Sequence, residues 1–160
     1  MMRILLLASL LLLGACASQA PLPANTPTLA LPLQLHIERQ LAGQRQDWLL
    51  VIQREHTSTR WSMMDPLGIP LARQRLVDGQ WRADGLLPPN AEARELFAAV
   101  LFALTPDAEV AGNYPQARRQ QGQRTYGSRW QVRYWGAQAF ELTLPEGPNY
   151  RVTPLTEVAP

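Results

Sequence analysis

The chain has 160 residues, 46% of them hydrophobic and 18% charged, with a formal net charge of +2. That length suits one domain with a real core. All 15 basic residues are arginine against 13 acids, which excludes a strongly basic nucleic-acid footprint despite a pI of about 9.1. The single cysteine, Cys16, excludes an internal disulfide.

The chain opens "MMRILLLASLLLLGACASQA". Arg3 supplies a positive n-region. Ile4 to Leu13 is an apolar run of signal-peptide length, too short to span a bilayer. It ends in "LGAC", Leu13 to Cys16, which resembles the bacterial lipobox. The resemblance implies a lipoprotein signal peptide over residues 1–15, cleavage before Cys16 and lipidation of Cys16. The other reading is an ordinary secretory signal with a chance cysteine. One acyl chain holds a protein marginally, whereas two or more anchor it stably. The expected partner is therefore a membrane, reached by a lipid anchor without spanning. Ala17 and Ser18 follow the cysteine in place of an aspartate, which by the same resemblance implies the periplasmic face of an outer membrane.

Residues 19–32, "QAPLPANTPTLALP", hold four prolines, which forbid a helix and favour extended chain. With Cys16 they read as a proline-rich tether over 16–32, reaching roughly 40 Å at about 3 Å per residue. From Leu33 the period becomes two. Leu33, Leu35 and Ile37 share one face, and Gln34, His36 and Glu38 the other. "AGQRQ" predicts a turn. "DWLLVIQRE" predicts a second strand, apolar on both faces from Trp48 to Ile52. "TSTRWSMM" is a third, followed by the turn "DPLG", and "IPLARQRLV" a fourth. Asp78–Gly79 signals a hairpin into a short fifth strand, "QWRA". Strands joined this tightly form an antiparallel meander.

"LPPNAEARELFAAVLFALTP" predicts a helix with Asn90 as N-cap and Glu92 in the first turn, where the dipole favours an acid. Ala93, Leu96, Phe97, Val100, Leu101 and Leu104 form one wide apolar stripe. Phe102 and Ala99 lie off its centre, so the helix is expected to be buried on more than one side. Thr105–Pro106 ends it, with a further short turn expected at "DAEVAG". Around Gly127, "QRTYGSRWQVRYW" gives two short strands or one bulged strand. "QAFELTLP" and "YRVTPLTEV" close the domain. Arg118–Arg119, the only adjacent basic pair, reads as solvated surface.

The residues offer little chemistry. No Gly-rich phosphate loop and no Gly-x-Ser-x-Gly elbow occurs. His36 and His56 are the only imidazoles and lack metal-ligand spacing. Glu92 with Glu95 reads as helix surface, and Asp107 with Glu109 as loop. No catalytic residue, metal or cofactor is expected, and no nucleic-acid partner. The five tryptophans admit two readings. One is a core filled with large side chains. The other is a concave sheet holding an acyl chain, lined by Trp48, Trp61, Met63, Leu101, Trp130 and Phe140.

Lipobox, tether, meander, "DPLG" turn, hairpin, amphipathic helix and closing strands, in that order, resemble the LolA/LolB lipoprotein-carrier superfamily. The resemblance implies an α+β fold: an antiparallel β-meander forming an incomplete barrel over residues 33–158, covered by one main amphipathic helix. It also implies an apolar cavity. Pro66, Leu67 and Gly68 match the carriers' protruding turn, with Asp65 in place of asparagine. Leu67 is thereby the expected membrane or cargo contact. The opposite reading folds Leu67 back into the core. "QRLVDGQW", "LPPNAEARELFAAVLFAL" and "YRVTPLTEV" further resemble a family of short Gram-negative lipoproteins of unknown function. Its genes often stand near aryl-polyene or fatty-acid-like biosynthesis clusters. The implied function is non-enzymatic binding or transfer of an acyl-bearing lipid or lipoprotein, with a periplasmic carrier as a further partner. The alternative is a scaffold or interaction lipoprotein with a packed core.

Overall fold

The structure is a computed structural model, and it describes residues 19–155. Cys16, the expected signal peptide and residues 156–158 of the expected domain lie outside the described residues. Ten strands form one sheet: β1 (Leu33–Leu41), β2 (Gln44–Glu55), β3 (Ser58–Met64), β4 (Pro70–Val77), β5 (Gln80–Ala83), β6 (Ala117–Gln120), β7 (Gln123–Tyr126), β8 (Trp130–Tyr134), β9 (Phe140–Thr143) and β10 (Asn149–Pro154). Two helices, α1 (Ala91–Leu104) and α2 (Asp107–Asn113), stand between β5 and β6. The spatial order is β5-β4-β3-β2-β1-β10-β9-β8-β7-β6, and each pairing is antiparallel. The last strand returns beside the first, Ile37 opposite Val152, which joins the two meanders into one sheet.

Alternation decides the faces. Leu33, Leu35 and Ile37 of β1, Leu50 and Ile52 of β2, and Trp61 and Met63 of β3 all turn inward and are buried. The helix lies on that inner face. Asn90 Oδ1 accepts from the Ala93 N–H at 3.0 Å, the N-cap that the sequence predicts. From Leu96 to Ala103 every residue of α1 is buried. Such burial around the whole circumference requires the sheet to curl about the helix. The ring contacts show it: Phe97 meets Trp61 and Trp81 of β3 and β5, and Phe102 meets Tyr126 and Trp130 of β7 and β8. The fold is an α+β incomplete barrel, open between β5 and β6.

Arg118 and Arg119 are exposed, as the sequence predicts, but they stand on β6, a strand that hydrophobic alternation does not announce. It is a polar edge strand, joined to β7 through Gln121 and Gly122 at φ of 47° and 77°. The mirror-image two-residue turn fixes that hairpin without any help from hydrophobic alternation. The proline-rich segment is also no free spacer along its described length. Pro23, Pro27 and Leu29 are buried. The Ala24 N–H donates to Asn113 O at 3.1 Å, the Asn25 N–H to Asn113 Oδ1 at 2.7 Å, and the Thr28 N–H to Glu109 Oε2 at 2.9 Å. Proline enforces extended chain, and extended chain packs on a surface as readily as it spans solvent. Docked in this way, the segment cannot supply the roughly 40 Å reach of a fully extended tether.

Candidate functional site

The β3–β4 turn is built around one carboxylate. The Gly68 N–H donates to Asp65 O at 3.0 Å and the Asp65 N–H to Ile69 O at 3.0 Å. Asp65 Oδ1 accepts from both the Leu67 and the Ile69 N–H, each at 2.9 Å. Pro66 fits the second position of the turn because its φ is already fixed near the required value. Gly68 stands at φ +83°, where a side chain would be strained even though the surrounding space is open. Asp65, Pro66 and Gly68 therefore fix the backbone. Leu67 is left at the tip, 85% exposed, with Ile69 beside it at 54%. Of the two readings of Leu67, the structure takes the exposed one. Asp65 supplies the side-chain oxygen that the turn needs.

The six residues expected to line a cavity are brought together, but as core. Trp61, Met63, Leu101, Trp130 and Phe140 are each 0–1% exposed and belong to one core cluster. Trp48, half-buried and packed against that core, lies tilted to Tyr150 with ring centroids 6.3 Å apart, and Arg39 stands over its ring at 5.7 Å. The helix occupies the concave face that an acyl chain would need. In the structure these side chains, expected as cavity lining, pack as aromatic core around α1. A groove of about 360 Å³ does exist elsewhere, between Leu31–Pro32 and the ends of β2 and β3, bounded by Gln53, Arg54, Glu55 and Arg60.

Glu92 and Glu95, read as helix surface, are pins that fasten α1 to the sheet. Glu92 accepts from Arg39 of β1 and from the Tyr150 hydroxyl of β10, the latter at 2.7 Å. Glu95 accepts from Arg129 at 2.8 and 2.7 Å and from the Trp130 indole at 2.7 Å. Burial by itself would raise both carboxyls, but these hydrogen bonds outweigh it and hold both below their ordinary value. Carboxyls depressed in the folded state add stability that is complete above the unfolded pKa and lost as pH falls through the folded one. Denaturant midpoints are therefore expected to decline as pH drops below about 4.5, the ordinary carboxyl value. A Glu92→Gln/Glu95→Gln chain should show a shallower decline. Parallel acid profiles of the two proteins would contradict the pins. The alternation of β1 carried a signal here, since Arg39 continues the inward series Leu33, Leu35, Ile37.

The histidines sit apart from this machinery. His36, on the outer face of β1, lies 2.8 Å from Asp47 Oδ1, and His56 is in the β2–β3 turn at φ 54°.

No curated protein matches the chain. A family model does match, over residues 33–153, from the first residue of β1 to within one residue of the end of β10. The whole barrel with its helices is thus the unit that relatives share, and the chain belongs to the DUF3261 family, proteins of unknown function.

Proposed function

We propose that the protein is a lipoprotein, anchored through Cys16 at the periplasmic face of the outer membrane, that binds or transfers an acyl-bearing lipid or lipoprotein without chemistry of its own. The observation that carries this reading is Leu67, a bare apolar side chain held 85% exposed on a turn pinned by Asp65. A side chain fixed in that way loses little entropy on entering a bilayer, and its full burial contributes about 1.5–3 kcal/mol. That is too little to anchor a protein and enough to matter for one already tethered. The lipobox resemblance of "LGAC" supplies the tether, and the turn's likeness to the LolA/LolB carriers supplies the role. With α1 filling the barrel, cargo is handled at the bilayer surface by the tip rather than carried inside.

The packed concave face favours a second reading, a scaffold or interaction lipoprotein with no lipid cargo. One substitution separates the two. Leu67→Glu should leave the melting temperature nearly unchanged, because the side chain makes no core contact. It should strongly reduce transfer of a lipoprotein or labelled acyl lipid into acceptor vesicles. A variant that transfers as well as the parent would leave the scaffold reading standing.

A further inference from the structure

Beyond the tip, the outer face of β2–β5 is graded along the strands. Next to the turn, Leu49 of β2 stands directly opposite Met64 of β3, both half-buried and outside the core cluster. The next outward row back is Val51–Ser62–Arg73. Behind it runs Gln53–Arg60–Arg75–Arg82 across four strands, three arginines in direct cross-strand register. Like charges placed opposite one another destabilise a sheet. Two carboxylates answer them: Asp84, which meets Arg60 at 2.7 Å and Arg75 at 3.5 Å, and Glu55, which meets Arg60 at 2.8 Å. Arg73 and Arg82 are exposed and have no ion pair among the described residues. On the adjoining β1–β2 hairpin the acids are taken up, Glu38 by Arg45, and Asp47 by Arg45 and His36. Asp65, at the tip itself, spends one oxygen on two backbone amides.

Apolar tip, apolar pair, then uncompensated arginines is the order of chemistry met on passing from acyl chains to phosphates at a bilayer surface. At roughly 3.3 Å per residue, Arg73 lies about 13 Å behind Ile69 along the strand. The headgroup layers add roughly 10–15 Å in total to the hydrocarbon core, about 5–8 Å on each side, so Arg73, and Arg82 in the row behind it, reach phosphates when the strands lie closer to the membrane plane than to its normal. We propose that the outer face of β2–β5 docks on anionic phospholipid, with Leu67, Ile69 and the Leu49–Met64 pair at the acyl boundary and Arg73 and Arg82 on lipid phosphates. The proposal rests on the membrane-contact reading of Leu67 and adds to it an orientation and a headgroup preference.

The test uses the full-length mature lipoprotein in vesicles, carrying Ile69→Cys labelled with an environment-sensitive fluorophore. The parent chain, whose single thiol is consumed by the lipid, should take no label. With phosphatidylglycerol in the vesicles, the probe's emission should shift to the blue and be quenched by lipid-borne spin labels. Each arginine near an anionic surface is worth roughly a fivefold change in the docked-to-undocked ratio. Arg73→Gln/Arg82→Gln should therefore lower that ratio roughly 25-fold without shifting the melting temperature. High salt should act in the same direction. Equal quenching on neutral and anionic vesicles, untouched by the double substitution, would overturn the headgroup assignment and leave the Leu67 contact standing. A labelled probe quenched on neither vesicle would overturn both.

Discussion

Arg124→Met is expected to lower the stability of the fold by about 3–5 kcal/mol, the loss seen when one member of a buried charged network is removed. Arg124 is 3% exposed on β7. Its Nη1 donates to the carbonyl oxygens of Phe102 at 2.7 Å, Ala103 at 3.3 Å and Thr105 at 2.9 Å, and its Nη2 donates to Asp107 Oδ1 at 2.6 Å. Those carbonyls are the unpaired end of α1, a helix with no basic residue in its last turn. The strand next to the open edge of the barrel thus supplies the cation that the helix lacks, and the guanidinium also faces the rings of Phe102 and Tyr134. Burial pulls Arg124 down from its ordinary pKa, and nearby tyrosines oppose that pull. Tyr134 shares the task, since its hydroxyl donates to Ala103 O at 2.8 Å and burial pushes its pKa up to about 12. Methionine fills the stem's volume and leaves the Phe102 and Thr105 carbonyls without their donor, while Ala103 O keeps the Tyr134 hydroxyl and Asp107 keeps Arg119. Against a total stability of about 5–15 kcal/mol the loss is large. Arg124→Lys should fall between, because an ammonium cannot spread a planar fork over three acceptors. Denaturant unfolding of the three proteins measures the order. A loss below about 1 kcal/mol for methionine would show that water caps the helix instead.

What was legible in the sequence follows from which forces leave a local trace. Strands β1, β3 and β4 are visible because their inner and outer residues alternate. The helix is visible because Asn90, Glu92 and the apolar stripe agree. The DPLG tip is visible because Pro66 and Gly68 each dictate a backbone angle. The strand β6 left no such trace: "ARRQ" is an edge with little to bury, and the nearest sign was Gln121–Gly122. The docked segment could have been read, since Leu29 and Leu31 extend the odd-numbered series of Leu33, Leu35 and Ile37. Proline signals extended chain and says nothing of what that chain touches. Arg124, Glu92 and Glu95 depend on partners 17 to 58 residues away, and composition is blind to such pairing. For the site, the tip's conformation was legible while the state of the barrel interior was not. The same tryptophans line a cavity or fill a core according to where one helix lies.

Phe97→Ala decides how firmly that helix fills the barrel. Phe97 is fully buried, with ring centroids 5.6 Å from Trp61 and 6.0 Å from Trp81, and those two indoles meet edge-on at 5.2 Å. Removing the ring takes away its transfer energy and leaves a hole that large, interlocked neighbours can close only in part. The expected cost is about 3–5 kcal/mol. For a domain of this size that corresponds to a fall in melting temperature of roughly 10 °C or more. If α1 were instead a lid over a lipid site, the site would bind acyl chains in the folded state alone, and added fatty acid would stabilise the parent by mass action. The packed interior predicts no such gain: oleate should leave the parent's melting temperature unchanged, and Phe97→Ala should destabilise to the same extent with or without it. A parent protein stabilised by oleate, with a small penalty for Phe97→Ala, would mean that the helix moves aside for cargo. Function would then return from the Leu67 tip to the interior of the barrel.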